Sequence, residues 1–133
     1  MKGVYQILSI LDIKDLKNEN IFNIVFSIFI LLFGIIYEVF SHGVISYFMI
    51  FAFLIPIINF LINILFIKCN IKVFHISKNI FTAGVITLTL ASIVKGVLDI
   101  YGTTNKLIFI YPVVGIIQLI ISIIIEVNIT KSE

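Results

Sequence analysis

Apolar residues fall along this chain in four long runs, at residues 21–40, 44–67, 80–100 and 107–127, separated by short polar breaks. A helix needs roughly 20 mostly apolar residues to cross a hydrocarbon core about 30 Å thick, and each run has that length. Transmembrane β-strands alternate polar and apolar positions over about ten residues, a period that none of these runs keeps. The pattern predicts an all-α integral membrane protein of four transmembrane helices. The breaks at 41–43, 68–79 and 101–106 are short, so consecutive helices are expected to run antiparallel in one bundle.

Residues 1–20 precede the first run as a separate interfacial segment, and 128–133 follow the last as a tail. Val4, Ile7, Leu8 and Leu11 share a helical face, which predicts a short amphipathic helix on the membrane surface or docked on the bundle ends. Ile10, Ile13 and Leu16 fall off that face. Lysines mix there with Asp12, Asp15 and Glu19 and no small-residue cleavage pattern is present, so the segment does not read as a removable signal peptide.

Within the runs, the few small and polar residues form stripes. Side chains on a helix advance about 100° per residue, which aligns Asn23, Ser27, Gly34 and Glu38 in the first run and Ala52, Pro56, Asn59 and Asn63 in the second. The third aligns Gly84, Thr87, Ala91, Lys95 and Asp99, and the fourth Gly115, Gln118, Ser122 and Glu126. The first reading of these stripes is close helix packing, with each hydrogen bond between helices contributing about 0.6–2 kcal/mol. The second is a polar pathway whose candidate residues are Ser27, Asn59, Asn63, Thr87, Gln118 and Ser122. Pro56 is expected to kink its helix.

Charge adds orientation. Lys2, Lys14, Lys17, Lys68, Lys72, Lys78 and Lys131 fall on one side of a four-span topology, with only Lys95 and Lys106 toward the other. By the positive-inside rule both termini are expected in the cytoplasm, in a plasma membrane. On the outer side Lys95 and Asp99 lie one helical turn apart, so they can pair, and Lys95 is expected to bridge Glu38 and Asp99 with His42 nearby. The plainer reading of this cluster is a set of interfacial charges reaching water, and the sharper one is an externally open site for a cation, a peptide or a partner's basic residue. Tyr37, Tyr47, Tyr101 and Tyr111 gather at the same boundaries, where amphipathic rings are at home.

Composition narrows the function. The chain has 133 residues, 61% of them hydrophobic and 12% charged, too apolar for a soluble domain. All nine basic residues are Lys, and the abundance of Ile, Phe, Asn and Lys has the cast of an AT-rich microbial genome, so a prokaryotic source is expected. A net charge of +2 spread over loops argues against nucleic acid. Cys69 stands alone, which excludes an intramolecular disulfide, and as a juxtamembrane thiol it could carry a lipid. The sequon at Asn128 lies in a tail expected to be cytoplasmic. Glu38 and His42 are too few for a zinc site, and His75 belongs to the other membrane face, so no metal or cofactor is expected.

No nucleophile sits beside a base and no two acids pair at mid-membrane, which argues against an enzyme. Proton-coupled exchange is disfavoured too, since no ionisable group is expected at the bilayer centre. The leading expectation is a non-catalytic accessory or interaction protein: a subunit, immunity protein or regulator of a membrane complex, with another membrane protein or a second copy as partner. A small oligomeric channel or transporter is the alternative. A holin-like pore former ranks third.

Overall fold

The computed structural model describes residues 13–69, 71–102 and 106–132, and among these every regular element is helical. In chain order they are α1 (Ile13–Val39), the four-residue α2 (Tyr47–Ile50), α3 (Leu54–Lys68), α4 (His75–Tyr101), a 3-10 turn (Lys106–Phe109) and α5 (Ile110–Ser132). The segment Tyr47–Lys68, formed by α2 and α3, counts as one span, so four helical segments are long and apolar enough to cross a membrane. Only 17–28% of the most apolar stretch of each is buried inside the protein. Their remaining surface is Ile, Leu, Phe and Val, which fits a multi-pass membrane protein.

The buried positions repeat in sevens. Leu16, Asn20, Asn23, Ser27, Ile30 and Gly34 of α1 are all buried, at alternating steps of four and three. Met49, Ala52, Pro56, Asn59 and Asn63 keep the same spacing along the second span, and Ile108, Gly115 and Ser122 do so near α5. This 3.5-residue period is that of helices packed nearly side by side. Helix α4 carries two such series that start one residue apart: Ser77, Gly84 and Ala91, and Lys78, Val85, Thr89 and Gly96, the last four at steps of seven, four and seven. Two buried stripes mean two neighbours. The first faces α5, where Gly84 and Gly115 come so close that a Cβ on Gly84 would lie 3.1 Å from the Gly115 carbonyl oxygen. The second faces the second span, where a Cβ on Gly96 would lie 2.6 Å from that of Met49.

Cross-helix contacts give the directions. Glu19 of α1 meets Thr82 near the start of α4, so α1 and α4 run parallel. The second span opposes both, since its Ser46 end meets Glu38 and Asp99 while Asn59 meets Asn23. Glu126 near the end of α5 meets Ser77, so α5 opposes α4. Helix α5 takes its backbone neighbours from α4 and the 3-10 turn, and α1 takes its neighbours from the second span. The helices thus lie in the order α1, second span, α4, α5.

The second span breaks at residues 51–53. Pro56 has no N–H to give the Ala52 carbonyl, which accepts instead from Ile55 three residues on, at 3.2 Å. The expected kink is a break into two helices. At the far end of α4, Gly102 takes the left-handed conformation (φ 74°) and its N–H returns to Asp99 at 3.2 Å.

Three boundaries differ from the sequence reading. Helix α1 starts at Ile13, so residues 13–20 belong to the first long helix and the remainder of the expected surface helix, 1–12, lies outside the described residues. Helix α4 starts at His75 and takes Lys78 out of the expected connection, and α5 continues through Ser132 into the expected tail. At the starts of α1 and α4 the polar residues Asp15, Glu19 and Lys78 have partners on other helices, whereas at the end of α5 Thr130 Oγ1 donates to the Glu126 carbonyl of its own helix at 2.8 Å.

Candidate functional site

The seven-residue repeat of α1 brings Glu19 and Asn23 to the side of the second span, where Asn59 faces them, and the second stripe of α4 adds Lys78 and Thr82. Thr82 Oγ1 donates to Glu19 Oε1 at 2.6 Å, and Asn59 Nδ2 donates to the same oxygen at 3.1 Å and to Asn23 Oδ1 at 3.3 Å. Lys78 Nζ donates to Asn59 Oδ1 at 2.8 Å and stands 3.5 Å from Glu19 Oε1. Its ammonium also lies 4.7 Å from the centre of the Phe81 ring and 5.8 Å from that of Phe66. Only 3% of the Lys78 side chain and 16% of Glu19 are exposed, so this ion pair ties three helices together inside the protein. Toward the surface, His75 Nε2 lies 3.5 Å from Asp15 Oδ2.

Among the described residues, several groups along the same seam lack partners. Asn63 is fully buried with neither amide atom bonded, and Asn20 Oδ1, Asn23 Nδ2 and Ser27 Oγ are likewise unpaired. A buried group left this way costs about 1–3 kcal/mol.

The start of α4 is held from outside its own helix. No side chain near Phe74 caps it, and Glu126 of α5 accepts the Phe74 N–H at 3.2 Å together with the Ser77 hydroxyl. A carboxylate suits the partial positive charge of a helix N-terminus.

At the opposite end, Lys95 pairs with Asp99 one turn along α4. Glu38 does not join that pair as expected. It accepts the Ser46 N–H at the head of α2, at 3.0 Å, and Ser46 Oγ in turn donates to Asp99 Oδ2 at 3.3 Å. Ser46 is therefore the bridge between the two acids, because the turn at 41–46 brings its backbone under Glu38. Lys95 instead lies over the Phe48 ring at 5.6 Å. His42 stands apart: it is exposed, in the left-handed conformation (φ 56°) at the turn.

Of the expected intramembrane residues, Asn59 is central to the network, and Ser27 and Asn63 lie on its seam. Thr87 and Ser122 donate to carbonyls of their own helices, Ala83 at 2.9 Å and Leu119 at 2.7 Å, and link nothing. Gln118, on α5, is separate from the seam, with its Oε1 unpaired. Sequence reasoning missed Glu19, Lys78 and Thr82 as site residues. The signal was available: the spacing of Asn23 and Ser27, continued backward, reaches Asn20 and Leu16 and draws the helix past Glu19.

Two apolar grooves run along α4 between the second span and α5. One, of about 390 Å³, includes Ile62, Phe66, Phe81, Ser122 and Ile123, with Lys78 and Glu126 at its edge; the other, of about 310 Å³, includes Phe48, Ile55, Leu88, Ser92 and Pro112. Among known proteins, the chain matches no family model, no curated protein and no solved structure.

Proposed function

We propose that this chain is a non-catalytic multi-pass protein of the plasma membrane that works by holding a transmembrane helix of another membrane protein. The observation that carries this reading is the pair of grooves left open because α5 packs along α4 and away from the second span. From Lys78 to Lys95 they follow α4 for roughly 25 Å, close to the thickness of a hydrocarbon core. The apolar walls suit a helix, and Ser92, Ser122 and Lys78 offer polar contacts along it. Charge supports the absence of catalysis, since Lys78 and Lys95 are engaged with Glu19 and Asp99 rather than free to act on a substrate.

Burial in lipid would recover about 1.5–3 kcal/mol for each large apolar side chain now on the surface. The orientation follows from the exposed lysines. Lys14, Lys17, Lys68, Lys72 and Lys131 are exposed near the end where α1 begins and α5 finishes, and Lys106 is exposed at the other, a bias that by the positive-inside rule supports a cytoplasmic side for the first of these ends. A photo-crosslinking residue at Ile62 or Ile55 should capture one partner of defined mass in native membranes, and that partner should copurify in mild detergent. Capture of lipid alone, with a chain that purifies by itself, would contradict the reading.

A small oligomeric channel or transporter is the second reading, and the unpaired Oε1 of Gln118, on α5 away from the seam, favours a path between copies. It requires solute flux in liposomes that is lost on Gln118→Leu.

A further inference from the structure

We propose that the seam between α1 and the second span is a blind, hydrated pocket that opens at the end where α1 begins and α5 finishes and takes neutral molecules able both to donate and to accept hydrogen bonds, water first. Asn20, Asn23, Ser27 and Asn63 are 8%, 1%, 4% and 0% exposed, and each has a polar atom without a partner. They share one strip. Asn23 bonds Asn59, and Gly34 lies against Met49, so counting by sevens sets Asn63 level with Asn20 and Ser27 level with Pro56. From Asn20 to Ser27 the strip is roughly 10 Å long.

The chemistry of the occupant follows from the atoms. Asn23 Nδ2 and Asn63 Nδ2 need acceptors, while Asn20 Oδ1 and Asn63 Oδ1 need donors. An ion satisfies one kind only. The neighbouring charges, Glu19 and Lys78, already face each other, so the strip offers no net charge to attract an ion. Buried polar groups of mixed sense are the ordinary setting of internal water.

The strip has an entrance and an end. Glu19 and Thr82 belong to the polar network and also line a surface cleft of about 490 Å³ with Asp15, His75 and Asn79. Molecules in that cleft are therefore one hydrogen bond from Asn59. Beyond Ser27 the lining turns apolar: Ile30, Met49 and Ala52 are 2%, 1% and 0% exposed, and Gly34 lies directly on the Met49 backbone. The pocket stops there, so a single chain binds at this place and does not conduct through it. The inference is independent of the partner reading, and either can fail without the other.

The test is cysteine reactivity in native membranes, in a Cys69→Ser background. Asn63→Cys, Ser27→Cys and Phe29→Cys are each treated with methyl methanethiosulfonate, which is small and uncharged, Phe29 being on the exposed apolar face of α1. The thiolate attacks the reagent's sulfenyl sulfur and releases methanesulfinate, and the thiolate needs water around it. Ser27→Cys and Asn63→Cys should react at least about tenfold faster than Phe29→Cys. Ser27→Cys is nearly isosteric and keeps the test open if Asn63→Cys fails to fold. Rates no higher than that of Phe29→Cys would overturn the proposal.

Discussion

The two ends of α4 carry the same chemical pair in opposite settings. Lys95 and Asp99 sit one turn apart on a single helix, with 27% and 28% of their side chains exposed. Lys78 meets a carboxylate from a different helix, is shielded from the surface, and shares its partner with Asn59 and Thr82. The first pair forms wherever α4 is helical. The second exists only when α1, the second span and α4 are assembled, so it reports on tertiary structure and fixes register between helices. A buried charge is tolerated there because each polar member of the pair has several partners.

Removing one partner should separate the two ends most clearly. Lys78→Met leaves the Glu19 carboxylate without its cation, and a loss of about 3–5 kcal/mol is expected in reversible unfolding from mixed micelles. Next comes packing against the second span. Gly96→Ala sets its new methyl against the Cβ and backbone of Met49, which cannot rotate away, and about 1–3 kcal/mol should be lost. Gly84→Ala should cost less, because its closest contact is the end of the flexible Leu119 side chain, at 2.9 Å. Smallest is Lys95→Met, at under about 1 kcal/mol. The swap of Glu38→Lys with Lys95→Glu should rescue nothing, since Glu38 serves the Ser46 N–H and not Lys95.

The four long helices were legible because lipid-length apolar runs have no other economical reading, and the Lys95 and Asp99 pair because its partners are four residues apart. Helix ends were not. Glu19, Asn20 and Lys78 lower the local hydropathy, and a reading by hydropathy stops before them, whereas the seven-residue spacing runs through. The place of α5 was open to inference as well: its small residues Gly115 and Ser122, seven apart, continue from Ile108 of the 3-10 turn as a single thin stripe, which one neighbour satisfies. Which carboxylate meets which lysine was beyond reach, because that depends on the register between helices, and a shift of one turn at the 41–46 bend would exchange Ser46 for another partner of Glu38.

A double-mutant cycle on Glu19→Gln and Lys78→Met, run beside one on Asp99→Asn and Lys95→Met, measures the difference between the two ends without the effects of each substitution alone. Coupling of more than about 1.5 kcal/mol is expected for Glu19 with Lys78 and less than about 0.5 kcal/mol for Asp99 with Lys95. Equal couplings, or none between Glu19 and Lys78, would mean that the buried pair does not hold the three helices together.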